Sequence, residues 1–164
     1  MNKKLRYLWV TIILIIIDIS IKIIIDNFCF EKVVMLNKWF GFKPYLNTTQ
    51  LSIFNNELNL NVSLQALIIL NIILIPIIPL TFKWLNIGNK YMKFVNTSEI
   101  LLLSGAFCSL IDKIFWGGSL DFIYVRKLFI CDLKDIYMFS TVCILIICFV
   151  LITFDGIENR KSKN

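Results

Sequence analysis

The chain has 164 residues, of which 58% are hydrophobic and only 17% charged, and its mean hydropathy is +0.77. Soluble globular domains are about 45–50% apolar and about 25% charged, so this composition excludes an ordinary soluble protein and indicates that lipid solvates much of its surface. Histidine is absent, which excludes Ser-His-Asp and Cys-His nucleophile schemes and most catalytic zinc sites.

Four hydrophobic segments predict four membrane-spanning helices, at about residues 8–25, 64–82, 100–116 and 136–154. The first segment, as an α-helix, would be roughly 27 Å long, enough to cross a hydrocarbon core. It lacks a small-residue cleavage site, so we interpret it as a retained span and not as a signal peptide. Pro76 and Pro79 in the second segment are compatible with a membrane helix. The sequence thus predicts an all-α integral membrane protein, with residues 1–164 forming one domain.

The charges are distributed unequally between the two sides of the predicted bundle. The amino terminus, residues 83–99 and the tail from residue 155 contain nine basic and three acidic residues, whereas residues 26–62 and 117–135 contain six of each. The net charge of +6 therefore lies on one side, and the positive-inside rule predicts that both termini are cytoplasmic. Nucleic-acid binding would also explain a pI near 9.1, but no soluble domain with a basic cluster and interleaved aromatic residues supports it, so we expect no nucleic-acid partner.

The first external connection, residues 26–62, is rich in aromatic residues, Asn and Lys. Residues 43–53 alternate in hydrophobicity, which predicts short strands on the outer leaflet. We therefore expect a small β-containing extracytoplasmic region between helices 1 and 2.

The five cysteines contain no C-x-x-C pair. Cys108, Cys143 and Cys148 lie in apolar runs and are interpreted as packing residues. Cys29 and Cys131 lie in polar connections that could share a compartment, and the sequence leaves a disulfide between them open.

Two groups of charged residues lie in or near the predicted spans. Asp18 and Lys22 are four residues apart, so they can pair on one helix face, and a fastener between helices is favoured over direct catalysis. Asp121 follows the third span and Asp135 opens the fourth, so a short connection should bring both carboxylates to the same depth at the outer membrane surface. Two carboxylates held close together cannot both ionise easily, which gives an acid beside a base.

Such a pair can hydrolyse an amide without a covalent intermediate. The alternative is that Asp132 or Asp135 only caps the fourth helix. A small ion or proton carrier would also place Asp18, Lys22 and Asp112 inside a bundle, but the carboxylates of this chain gather toward its outer end.

Nearly the whole chain resembles the bacterial lipoprotein signal peptidase (signal peptidase II) family in its spans and in the order of its polar motifs. The matching stretches are residues 18–22 with D-x-x-x-K, residues 47–52 with the start of N-T-G-A-A-F, residues 104–113 with G-G-A-x-G-N-x-I-D-R, residues 117–123 with G-x-V-x-D-F-I, and residues 129–135 with F-N-x-A-D.

The resemblance implies an aspartic-type membrane peptidase whose catalytic carboxylates are Asp121 and Asp135. Asp112 is the second candidate for the acid and, with Lys113, is expected to belong to a supporting polar shell. The full set of expected supporting or substrate-binding residues is Asn47, Asp112, Lys113, Ser109, Asp132, Asp18 and Lys22.

The implied substrate is a prolipoprotein cut on the amino side of its diacylglyceryl-modified cysteine, at the outer face of a bacterial cytoplasmic membrane. Besides this lipidated substrate, membrane lipids are the expected partners. No metal, nucleotide or flavin is expected, and Gly117-Gly118 lacks the phosphate-binding pattern G-x-x-x-x-G-K.

Several motif positions differ in this chain. Ser109 replaces Asn, Lys113 replaces Arg, Cys108 replaces Gly, and residues 49–52 replace G-A-A-F. Asp132 and Lys134 replace the Asn and Ala beside Asp135, and a lysine there would favour ionisation of both aspartates unless its side chain extends toward the lipid headgroups. The alternative function is therefore a catalytically impaired relative that acts as a membrane binding partner or decoy.

Overall fold

The structure is a computed structural model that describes residues 3–48, 62–85, 88–126 and 129–161. It contains four long helices: α1 (Lys3–Ile24), α2 (Leu64–Trp84), α3 (Gly88–Phe115) and α4 (Leu133–Lys161). A π-helical turn, Ile25–Cys29, continues α1. All four helices are long and apolar enough to cross a membrane, which confirms the predicted all-α fold class.

The helices are longer than the predicted hydrophobic segments, most clearly in α3. It begins at Gly88 although the apolar run begins near residue 100, because Tyr91 and Val95 already pack inside the bundle and amphipathic turns extend the helix. At the start of α2 the Ser63 hydroxyl caps the helix by accepting the N–H of Ala66 at 3.2 Å.

A four-stranded antiparallel sheet lies at the end of the bundle where α1 and α3 end and α4 begins. Its strands are β1 (Val34–Met35), β2 (Phe40–Asn47), β3 (Ser119–Val125) and β4 (Phe129–Cys131), in the order β1-β2-β3-β4. The predicted strand region between helices 1 and 2 is confirmed by β1 and β2, although β2 ends at Asn47 and residues 49–61 lie outside the described residues.

Half of this sheet comes from a connection for which no strand was predicted. β3 and β4 are formed by residues between α3 and α4, where Asp121 interrupts an otherwise β-favouring run of branched and aromatic residues. Ile25, Leu120 and Phe122 form a buried cluster that joins β3 to the end of α1. The strand that carries Asp121 is thereby fixed against the membrane bundle.

Within the bundle, α3 packs against each of the other three helices. Ile78, Phe82 and Val95 form its buried contact with α2. Many other large apolar side chains of the helices are exposed, among them Phe139 and Phe149. This is the pattern of a bundle whose outer surface faces lipid and whose interior is available for polar groups.

Candidate active site

A buried polar cluster lies where the sheet meets α1, α3 and the start of α4. We call it the Asp–Lys cluster; its members are Asp18, Lys22, Asp112, Ser119, Asp121, Asp132, Lys134 and Asp135. Asp18, Lys22, Asp112 and Asp132 are completely buried, and Asp121 and Lys134 are nearly so. Buried charges are stable only when they are paired and hydrogen-bonded, so this cluster is an organised interior and not a solvated rim.

Lys22 joins three elements by ion pairs. Its Nζ lies 2.8 Å from Asp18 Oδ2, 2.7 Å from Asp112 Oδ2 and 2.6 Å from Asp132 Oδ2. The pair expected from the four-residue spacing in α1 is therefore present, and the same ammonium also holds α3 and the start of α4. These contacts favour the fastener interpretation of Asp18 and Lys22.

The carboxylates of Asp121 and Asp135 meet at the edge of this cluster. Together with Asp132 they offer oxygen atoms that all lie within 4.8 Å of one another. β3 holds Asp121 opposite Tyr45 of β2, and Asp135 lies in the first turn of α4. A water molecule can bridge two oxygens at this spacing, because two hydrogen bonds of about 2.8 Å can span it.

Asp132 and Asp135 also cap α4. The N–H of Asp135 donates to Asp132 Oδ1 at 3.2 Å, and the N–H of Asp132 donates to Asp135 Oδ2 at 3.2 Å. This reciprocal arrangement is a capping box with aspartate in the usual Glu position. Capping and proximity to Asp121 therefore coexist, and the cap orients the carboxylate of Asp135.

Asp121 and Asp132 lie outside the membrane-spanning helices, and their surroundings shift their pKa values in opposite directions. Burial raises the pKa of Asp121 to about 6, although Lys134 and the Ser119 hydroxyl lower it, and Asp132 and Asp135 add repulsion. Burial also opposes ionisation of Asp132, but attraction by Lys134 and Lys22 outweighs it and holds the pKa of Asp132 below its usual value. The pKa of Asp121 is therefore raised while that of Asp132 is lowered, and opposite shifts of neighbouring carboxylates are typical of functional sites.

Lys134 extends into the cluster and not toward lipid headgroups. Its Nζ lies 3.0 Å from Asp112 Oδ2 and 3.5 Å from Asp121 Oδ1, it pairs with Asp132, and it donates to Ser119 Oγ at 2.5 Å. Of the two orientations that the sequence leaves open for Lys134, the structure has the inward one, in which Asp112, Asp121, Asp132 and the Ser119 hydroxyl surround the ammonium. The oxygens of Asp121, Asp132 and Asp135 are also close enough to hold a divalent cation. The Lys134 ammonium, however, already supplies positive charge beside Asp121 and Asp132.

The other expected site residues lie around this cluster. Asp112 connects Lys22 with Lys134, whereas Lys113 turns back along α3 and donates to Ser109 Oγ at 2.7 Å. Asn71 of α2 also donates to Ser109 Oγ, at 3.3 Å. The replaced motif residues Thr49, Gln50, Leu51 and Ser52 lie outside the described residues.

Ser119 is a site residue that sequence reasoning missed. It pairs with Asn47 across β2 and β3, and its hydroxyl donates to Asp121 Oδ1 at 2.6 Å. The two-residue period of a strand would have placed Ser119 and Asp121 on one face, had β3 been predicted. Asn47, the last residue of β2, thereby lies opposite Ser119 and close to Asp121.

The two cysteines of the polar connections are free thiols. Burial, followed by the charges of Asp135 and Asp132, raises the pKa of Cys131 to about 11, so this thiol is protonated at neutral pH.

Comparison with known proteins identifies the same architecture elsewhere. The sequence profile described as "Signal peptidase (SPase) II" matches residues 10–151. One solved bacterial membrane enzyme shares 19% identity, with a TM-score of 0.71 over 90% of this chain and 89% of that chain. A second shares 18% identity, with a TM-score of 0.67 over 88% and 92% of the two chains. At these identities the structural likeness concerns the fold; no curated protein matches in sequence.

Proposed function

Because the chain belongs to the signal peptidase II family, a family of membrane proteases, we propose that it is an aspartic endopeptidase that removes signal peptides from diacylglyceryl-modified prolipoproteins. It cuts on the amino side of the lipidated cysteine, and Asp121 and Asp135 are its catalytic residues. The observation that supports this proposal most strongly is the approach of their carboxylate oxygens to within 4.8 Å inside a buried cluster.

In the proposed reaction one carboxylate is ionised and the other is protonated. The ionised group takes a proton from a water molecule held between them, and the resulting hydroxide equivalent attacks the scissile carbonyl carbon. The protonated group donates a hydrogen bond to the carbonyl oxygen as it gains negative charge. When the C–N bond breaks, a proton passes to the leaving nitrogen, and the dyad regains one shared proton.

The position of the dyad fits a lipid-anchored substrate. Asp121 and Asp135 lie where the sheet meets the helix ends, so acyl chains of a substrate in the same leaflet would deliver the scissile bond to this depth. Binding energy far from the reacting bond then positions it. The charge distribution supports cytoplasmic termini and an active site at the outer face of a bacterial cytoplasmic membrane.

The alternative function, a non-cleaving binder of lipidated precursors, is favoured by one observation. Lys134 lies 3.5 Å from Asp121 Oδ1, and a buried ammonium that kept both aspartates ionised would remove the proton that the reaction requires.

The test uses purified protein in lipid with a synthetic diacylated precursor peptide, and mass spectrometry identifies the products. We expect a cut directly before the lipidated cysteine, and loss of cleavage by at least about 1,000-fold in Asp121→Asn and in Asp135→Asn. Asp155→Asn is the matched control, because Asp155 pairs with Lys90 far from the cluster. Binding of the peptide without cleavage by the wild type would instead establish the decoy, and undiminished cleavage in either dyad variant would refute the dyad.

A further inference from the structure

Two positions that differ from the family motifs contact each other beside Asp121. Ser119 stands where G-x-V-x-D-F-I has Val, and Lys134 stands where F-N-x-A-D has Ala. The two residues are fifteen positions apart in sequence, yet Lys134 Nζ lies 2.5 Å from Ser119 Oγ. The two side chains thus form one polar contact beside the candidate dyad.

The directions of the hydrogen bonds at this contact follow from its chemistry. An ammonium group has only donors, so Ser119 Oγ must accept from Lys134. The single hydroxyl proton of Ser119 is then free to be donated to Asp121 Oδ1, which lies 2.6 Å away. Asp121 Oδ1 consequently acts as an acceptor, and the Lys134 ammonium lies 3.5 Å from the same oxygen.

The second member of the dyad has a different environment. Among the described residues, Asp135 accepts the backbone N–H of Asp132 but makes no ion pair. The other groups around Asp121 are Asp132 and Asp135 from the start of α4 and Cys131 from β4, and Tyr45 is its backbone partner in β2. Lys134 is therefore the only cation within ion-pair distance of Asp121 in the described part of the chain.

We propose that Lys134 and Ser119 are positioning residues that make Asp121 the ionised member of the dyad, and thus the general base, and leave the shared proton on Asp135. This assignment rests on the proposed peptidase function. Lys134 then supports the reaction, because a cation within ion-pair distance of Asp121, but not of Asp135, favours ionisation of Asp121 without requiring ionisation of both carboxylates.

The first test is the pH profile of kcat/KM for cleavage of the diacylated peptide. In Lys134→Met the acid limb, which reports ionisation of the free enzyme's base, should move up by about 1–3 pH units, since an opposite charge at this distance lowers a carboxyl pKa by that amount. Ser119→Ala should move it in the same direction by less. Lys134→Arg keeps the cation and should restore a profile near that of the wild type.

Lys90→Met is the matched control, because it removes one paired lysine at the other end of the bundle and should leave the acid limb unchanged. An unmoved acid limb in Lys134→Met, or a general increase of its activity, would overturn the proposal. If Lys134→Met does not fold, the pH profile of Ser119→Ala is the deciding test, because this variant keeps the buried ammonium of Lys134. An unchanged profile in that variant also overturns the assignment.

A second measurement separates this proposal from the proposed function. Infrared titration of the protein in lipid, with Asp121→Asn subtracted, follows the protonated carboxyl of Asp121 without any substrate. Its midpoint should be higher in Lys134→Met than in the wild type, and equal midpoints contradict the proposal. If the wild type cleaves nothing, the peptidase function fails while this titration still tests the charge assignment.

Discussion

Replacing Lys22 by Met should destabilise the fold more than any other single charge removal in the helices. Met keeps most of the side-chain length, so the substitution removes the ammonium while leaving little cavity. Lys22 pairs with three carboxylates at 2.6–2.8 Å, and every partner is fully buried. Breaking a buried pair by removing one partner costs about 3–5 kcal/mol, which is a decrease of about 150- to 5,000-fold in the folding equilibrium constant.

The assay is reversible unfolding in mixed detergent micelles, with helix content measured by circular dichroism. Lys90→Met is the comparison, because Lys90 is largely exposed in its pair with Asp155 and its loss should change stability little. Adding Asp18→Asn to Lys22→Met should recover part of the loss, because Lys22 is the only ion-pair partner of Asp18 among the described residues and the second substitution removes the carboxylate that is left unpaired. Equal stability of Lys22→Met and Lys90→Met would refute the claim that this lysine holds α1, α3 and α4 together.

Three further results are expected from single substitutions. Asp121→Asn should raise the free energy of unfolding by about 1–3 kcal/mol at pH 7 but not at pH 4. The pKa of Asp121 rises from 3.8 to about 6 on folding, so the wild-type fold loses stability as the pH increases through that interval and the variant does not. Melting curves of both proteins at the two pH values test this, and a stability difference that is the same at both would contradict it. Gly118→Ala would place a Cβ 2.5 Å from the carbonyl oxygen of Asn47, which must separate β2 from β3 near Asp121. Peptide cleavage should therefore fall about 10- to 100-fold, with helix content unchanged. Full activity would contradict the close approach of Gly118 to Asn47. Ser109→Ala should lower the free energy of unfolding by about 0.5–1.5 kcal/mol, because it removes the hydroxyl that accepts hydrogen bonds from Lys113 and Asn71. Unfolding in detergent measures this loss, and a stability equal to that of the wild type would show that these bonds contribute nothing.

The membrane helices were predictable because a helix that crosses lipid needs a long apolar segment, and such segments are visible as hydrophobic runs in the sequence. The i,i+4 spacing of Asp18 and Lys22 likewise predicted their ion pair, since helix geometry is local. The third helix was predicted too short, because its first turns from Gly88 are amphipathic and lie outside the continuous apolar run.

The centre of the site was less predictable because it depends on contacts between distant segments. β3 pairs with β2 across more than seventy residues, and neither strand shows its partner in its own sequence. The inward direction of Lys134 depends on Asp112 and Asp121, which come from two other elements. Ser119 could be recognised only once β3 was known to be a strand, since its position relative to Asp121 follows from the strand period.

The central claim is that Asp121 and Asp135 work in opposite protonation states, and the pH dependence of kcat/KM for the wild-type protein tests it most directly. With a diacylated precursor peptide in lipid, we expect a bell-shaped profile whose acid limb lies near pH 6, where Asp121 ionises, and whose basic limb reports loss of the proton held by the dyad. A profile that is flat from pH 4 to pH 9, or that lacks either limb, would contradict a mechanism in which one carboxylate is the base and the other is the acid.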